Sequence, residues 1–227
     1  MKMLNYILVL VAVTSCNSSQ QEVASNSLKP PIIKVLDTDF SKGRLNLTHE
    51  LTLLDLEKFH GHLCDGLVVG FLGINEGLMV LYPNGIVDRT NTKIVSTSSP
   101  CLTDVAVYIT GGRYQFNSFY VDNTLEPEFY IMQRIDNGKT VKVRLNKGVK
   151  PKEIDELGAK AIKGELAACD LDKLKMLEEE FAEKLLSSNP KDNFTVAEVM
   201  DFAWKPLPKN DYLRTDILNK NISNCNQ

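Results

Sequence analysis

Histidine is scarce in this chain: its 227 residues include three histidines, five cysteines and one tryptophan. The sequence contains no H-E-x-x-H motif, no C-x-x-C pair, no nucleophile elbow and no phosphate-binding glycine loop. The signatures of zinc metalloproteases, zinc ribbons, α/β-hydrolases and P-loop enzymes are therefore missing. A function must be sought in other residues.

Basic residues are not in excess either. The chain has 26 lysines and arginines against 29 aspartates and glutamates, for a formal net charge of -3. A nucleic-acid-binding surface needs a basic stripe that neutralises phosphates. Nucleic acid is therefore not expected as a partner.

The N-terminus has the layout of an export signal. Lys2 precedes an apolar run over residues 3–13, which is shorter than the roughly 20 residues of a membrane-spanning helix but fits a secretory h-region. Small residues then lead to Cys16, as in a bacterial lipoprotein processing box. We expect a signal peptide over residues 1–15, with Cys16 lipidated and the protein anchored in the bacterial cell envelope, at the periplasmic face or the outer surface. The alternative is an ordinary signal peptide cut near Ser15, which leaves Cys16 free.

The rest of the chain predicts one domain between two polar segments. Residues 16–32 have little to bury and are typical of a flexible tether. Residues 33–205 are expected to form the domain, and residues 206–227 a C-terminal tail.

Local patterns predict an α+β fold. One helix is expected to begin at Thr48 and end at Gly61. Further helices are expected over residues 64–81, 101–110, 154–163, 171–186 and 196–204. Glycines at positions 66, 70, 73 and 77 would give the second helix a smooth ridge for close packing. Strands are expected over residues 92–98, 119–121, 129–135 and 141–145, the last two joined by an Asn137-Gly138 turn. The result is a central mixed or antiparallel sheet of about four strands, covered by helices.

The most informative segment is residues 60–64, where His60, His62 and Cys64 fall within five positions and Asp65 follows. Imidazole and thiolate are preferred ligands of zinc-like cations. The segment therefore predicts a metal or thiol site. His49 has no such neighbours and is expected to be a helix-start residue only.

Residues 59–66, which read F-H-G-H-L-C-D-G, resemble the F-H-G-H-x-C-P-G signature of the FmdE-like family, which takes its name from a component of formylmethanofuran dehydrogenase. Residues 101–105 and Thr110-Gly111 resemble a second block of the family, which reads C-x-x-D-A followed by T-G. The two strands around Gly138-Lys139 resemble a third family segment, in which a G-K pair joins two strands. The resemblance implies an α+β fold, often dimeric, with a bound transition metal, usually zinc. It does not imply the methanofuran reaction, because the redox chemistry of that complex belongs to its other components.

Three departures from the family pattern affect the site. Asp65 replaces the family proline, although both residues suit the first turn of a helix. Val107 and Gly112 replace a family glutamine and cysteine, so chemistry that needs a second thiol there is absent. The four-cysteine ribbon of many relatives is missing as well.

Together, the motif and the resemblance predict a site built from His62, Cys64 and Cys101. His60 would be a fourth ligand or would support a ligand; three ligands leave an open position and four close the site. Asp65 could oppose thiolate formation at Cys64 or add an oxygen ligand.

Other interpretations of these residues stay open. Asp104 could hydrogen bond to a ligand histidine, or be a solvated acid. In an oxidising compartment Cys64 and Cys101 could instead form a disulfide. Cys169 and Cys225 could then pair with each other, or remain thiols.

Two function classes follow. The first is a lipoprotein that binds zinc or another divalent transition metal, or a small metal complex, for uptake or delivery. The second is a metal- or thiol-dependent hydrolase or redox enzyme with Cys64 and His62 at its reactive centre. The lack of enzyme signatures favours binding.

Overall fold

The computed structural model describes residues 29–39 and 44–204. The predicted signal peptide, Cys16, most of the tether, the C-terminal tail and Cys225 lie outside the described residues. The elements run in the order β1 (Ile33–Asp39), β2 (Arg44–Leu51), α1 (Leu53–His60), α2 (Asp65–Leu81), β3 (Ile86–Asp88), β4 (Thr92–Ser96), α3 (Pro100–Thr110), β5 (Phe119–Val121), β6 (Tyr130–Arg134), β7 (Thr140–Leu145), α4 (Lys152–Lys163), α5 (Ala168–Ser187), α6 (Pro190–Asn193) and β8 (Phe194–Glu198).

These strands form two sheets, and the α+β class is confirmed. The larger sheet has the order β5-β4-β6-β7-β8, in which only the β4–β5 pair is parallel. The smaller sheet has the order β2-β1-β3. All four predicted strands lie in the larger sheet, and the Asn137-Gly138 turn joins β6 to β7 with Gly138 at a φ of 73°.

Helix α2 is the centre of the hydrophobic core. It packs across β6 and β7 and against α3 and α5. Its glycines permit this contact: a Cβ atom on Gly77 would lie 2.2 Å from the Cε atom of Met132 and 2.8 Å from Cγ2 of Val143. The predicted packing role of the glycines is confirmed. The opposite face of the larger sheet carries a smaller cluster of Val95, Tyr120, Leu125 and Ile131 against Phe202 and Trp204.

The prediction of a helix from Thr48 was wrong. Residues 44–51 form β2, which pairs antiparallel with β1, so His49 is an exposed strand residue. The helix begins at Leu53, and Thr52 and Asp55 cap it reciprocally. The helical spacing of apolar residues continues only through α1. Upstream of Thr52, pairing with β1 outweighs the local helix propensity.

The prediction of a helix over residues 196–204 was also wrong. Residues Phe194–Glu198 form β8, whose Val196 lies opposite Val143 of β7. The segment completes an otherwise unpaired strand edge, and this long-range pairing decides its conformation. Strands β1 and β3 were not predicted at all.

Across residues 29–39 and 44–204, none of the helices is both long enough and apolar enough to cross a membrane.

Candidate metal centre

The predicted motif spans the junction between α1 and α2. His60 is the last residue of α1, and Gly61 ends that helix in the left-handed region with a φ of 101°. Such a φ is readily adopted only by glycine. Cys64 is the N-cap of α2, and its Sγ atom accepts a hydrogen bond from the Leu67 N–H at 3.4 Å. The break at Gly61 turns the chain so that His60 and Cys64 face each other.

Cys101 reaches the same place from the first turn of α3. Ser99 caps that helix and Pro100 occupies its first turn. The close approach depends on Gly66, since a Cβ atom there would lie 3.0 Å from both Cβ and Sγ of Cys101. A glycine on α2 therefore admits the second thiol.

Three ligand atoms converge as a result. The sulfurs of Cys64 and Cys101 are 3.4 Å apart, and Nε2 of His60 is 3.9 Å from the Cys64 sulfur. One ligand atom from each residue lies within 4.8 Å of the other two. Tetrahedral zinc with ordinary bond lengths needs about 3.8 Å between two sulfurs and about 3.6 Å between sulfur and nitrogen. The Cys64–Cys101 and Cys64–His60 distances are each within about 0.4 Å of these values, so the donor set suits a zinc-like ion.

Asp104 holds the histidine in place. The Nδ1 atom of His60 donates to Oδ2 of Asp104 at 2.7 Å, and the His60 side chain is 7% exposed. This hydrogen bond raises the pKa of His60. It also leaves Nε2 facing the cysteines, the arrangement that carboxylate–histidine–metal sites use.

The two thiols differ in acidity. A hydrogen bond from Cys101 is the largest cause that lowers the pKa of Cys64 to about 6, with further contributions from the Leu67 N–H and from His60. The same hydrogen bond and burial raise the pKa of Cys101. One thiolate is thus favoured at the centre. Both cysteines are free, and their sulfurs stand well beyond the 2.0 Å or so of a disulfide, so the structure does not contain the alternative disulfide.

The remaining predicted residues lie around this centre. His62 is exposed and stands outside the three-residue group, with its ring centroid 4.7 Å from that of His60. Asp65 is half-buried, its carboxylate accepts the Gly66 N–H, and burial raises its pKa. Cys169 is exposed on α5. The structure therefore brings together His60, Cys64 and Cys101, with Asp104 behind the histidine.

A groove opens beside Cys64, between residues 62–65 and α5, with a volume of about 650 Å³. We call it the α5 groove. Its apolar lining consists of Leu63, Leu171, Leu174, Ala182 and Leu186. Its acidic lining consists of Asp65, Asp172, Glu178, Glu179 and Glu183. His62 and Lys175 complete it.

Sequence reasoning missed α5 and Tyr130 as parts of the site. Burial raises the pKa of Glu178, and so do the nearby charges of Asp65 and Cys64. In sequence, Glu178 follows these two residues by more than a hundred positions. Tyr130 is fully buried on β6 and donates its O–H to the Leu102 carbonyl at 2.7 Å, which fixes the start of α3. No local pattern marks either residue, because both contacts depend on tertiary packing.

The fold and the convergent cysteines and histidine define an α+β protein with a candidate metal centre at the meeting point of three helices. The family model described as "FmdE, Molybdenum formylmethanofuran dehydrogenase operon" matches residues 59–195, so the chain belongs to the FmdE family. A search of curated proteins gave no match.

One solved structure with similarity is described as a "tungsten formylmethanofuran dehydrogenase subunit e (fmde)-like protein" from Syntrophus aciditrophicus. It is 18% identical, covers 69% of this chain and 76% of its own, and aligns with a TM-score of 0.41.

Proposed function

We propose that this protein binds one divalent transition-metal ion, with zinc the best match, through Cys64, Cys101 and His60. The observation that carries the proposal is the convergence of three soft ligand atoms within 4.8 Å from three different helices. Asp104 supports it, because a carboxylate on Nδ1 of His60 leaves the Nε2 atom, which lies 3.9 Å from the Cys64 sulfur, free to bind an ion.

Three protein ligands leave a fourth position free. Such a position lets an ion act as a Lewis acid or exchange a ligand, whereas four protein ligands make a structural site. Cys64 lies at the α5 groove, so the fourth position would be reached from that side. His62 also lines the groove and is the candidate for a fourth protein ligand.

The cellular role we propose is that of a metal-binding lipoprotein of the bacterial cell envelope. The N-terminal signal pattern and Cys16 support export and a lipid anchor. The cargo would be a metal or a small metal complex, for binding or delivery. We also propose that the protein forms a homodimer, as the family resemblance implies. We further propose that it takes no part in the dehydrogenase reaction after which the family is named.

A thiol-dependent enzyme is the second candidate, since the pKa of Cys64 is lowered to about 6 and His60 lies beside it. A thiolate at neutral pH is a nucleophile. Turnover of an activated ester by the metal-free protein, lost in Cys64→Ser and kept in Cys169→Ser, would favour this candidate.

The metal proposal is tested by elemental mass spectrometry of the purified protein. We expect close to one zinc-like ion per chain. Cys64→Ser and Cys101→Ser should each lose most of it, because each removes one of three ligands, whereas Cys169→Ser on the exposed face of α5 should keep it. Negligible metal in the wild type, with Cys64 and Cys101 found in a disulfide, would falsify the proposal.

A further inference from the structure

The α5 groove has the size of a ligand-binding site. Its volume of about 650 Å³ falls within the usual range for pockets that bind small molecules. On α5 its lining runs from Leu171 to Leu186, close to four helical turns, which corresponds to about 22 Å. The groove is therefore long, and it fits an elongated ligand.

The charged residues of the groove lining are mostly acidic. Five carboxylates face a single lysine in the groove, and Lys175 already pairs with Glu179 at 2.7 Å. Four of the acids, Asp172, Glu178, Glu179 and Glu183, are spread along α5. A ligand that complements this lining carries several positive charges, spaced along its length rather than gathered at one end.

The apolar part of the lining limits the choice further. Five aliphatic residues share the lining with the acids, including the buried Leu174 and Ala182. A hydrated inorganic cation gains nothing from contact with such side chains, whereas methylene groups bury apolar area on them. The ligand therefore alternates charged groups with hydrocarbon segments.

We propose that the α5 groove binds a linear polyamine, with its ammonium groups on the acidic residues and its methylene segments on the leucines. This inference rests on the charge and shape of the groove. It does not require an ion at the cysteine centre. One end of the ligand would lie beside Cys64, so the groove and the metal centre would be neighbours.

The test is calorimetric titration of the full chain with spermidine, with and without zinc. We expect saturable binding of one molecule per chain that weakens as salt is added. Glu178→Gln combined with Glu183→Gln should weaken binding by about tenfold, since two charge contacts are lost. Glu180→Gln is the matched control, because Glu180 lies on α5 outside the groove lining, and it should leave binding unchanged.

Three outcomes would overturn the proposal. The first is an absence of saturable binding, and the second is equal weakening in the groove variant and in Glu180→Gln, which marks unspecific attraction to an acidic surface. The third is binding of a lysine-rich peptide but not of spermidine, which assigns the groove to a protein partner. Because zinc content is measured separately, failure here leaves the metal proposal intact, and the reverse also holds.

Discussion

The Nδ1 atom of His60 lies 2.7 Å from Oδ2 of Asp104, so the last residue of α1 is tied to the second turn of α3. These residues are 44 positions apart in sequence. The contact sets both the direction of the imidazole and the tautomer that presents Nε2 to the cysteines. The geometry of the proposed centre therefore depends on a carboxylate that does not touch the ion.

Replacing Asp104 by asparagine should weaken zinc binding by roughly 10- to 100-fold, the usual cost of losing a carboxylate behind a ligand histidine. Competition with a chromophoric chelator measures this change. Asp192→Asn, at an exposed position on α6, serves as the control and should bind zinc like the wild type. Equal affinity in the two variants would mean that Asp104 has no role in metal binding.

Substituting the two histidines one at a time separates the ligand sets that the motif allows. His60→Ala should reduce zinc occupancy strongly, because Nε2 of His60 faces the cysteines. His62→Ala should reduce it far less, since the exposed His62 ring lies outside the three-ligand group. Zinc occupancy of the two purified variants is measured side by side. The reverse order would restore the set of His62, Cys64 and Cys101 that the sequence favoured.

Gly66→Ala should disturb the centre by pushing Cys101 away. The added Cβ atom would lie 3.0 Å from Cβ and Sγ of Cys101, so α3 must shift or the sulfur must turn. Gly158→Ala on α4 is the matched substitution, because nothing lies within 4 Å of the added atom. It should raise the free energy of unfolding by up to about 1 kcal/mol. Zinc affinity, measured by chelator competition, should fall in the first variant and stay constant in the second.

The stability of the metal-free protein should depend on pH through Cys64. Its folded-state pKa of about 6 lies below the usual 9.0, so the folded state binds fewer protons and gains stability as pH rises from about 6 to 9. That contribution is lost as pH falls through about 6. Cys101, with its raised pKa, keeps its proton at higher pH and reverses the trend above about 9.

Urea unfolding at a series of pH values measures this dependence. His60 acts in the opposite direction, because its raised pKa gives stability that is lost as pH rises, so the wild type is compared with Cys64→Ser. The difference in unfolding free energy should grow with pH by less than about 1.4 kcal/mol per unit, since the thiol is only half-buried. A constant difference would contradict the lowered pKa.

Much of the site could be predicted from short-range signals. The break at Gly61, the start of α2 at Cys64 and the start of α3 beside Cys101 all follow from capping residues within a few positions. The β6–β7 hairpin follows from its Asn-Gly turn in the same way. These signals depend on residues only a few positions apart, so the sequence alone reveals them.

The rest depends on contacts between distant segments. β8 pairs with β7 about fifty residues upstream, and nothing in the sequence of either strand identifies the other as its partner. The role of His60 depends on Asp104, and thus on the angle at which α1 meets α3. The groove depends on α5, whose acidic stripe by itself is typical of an ordinary solvated face. Residue patterns name the candidate ligands but do not decide between two histidines two positions apart.

Cys64 caps the N-terminus of helix α2, which runs as one rod into the packed face of the larger sheet, where Gly77 lies against Met132. A change in the position of Cys64 must therefore displace close-packed side chains at the far end of the rod. The spacing of the two sulfurs is held by the whole core rather than by a loop.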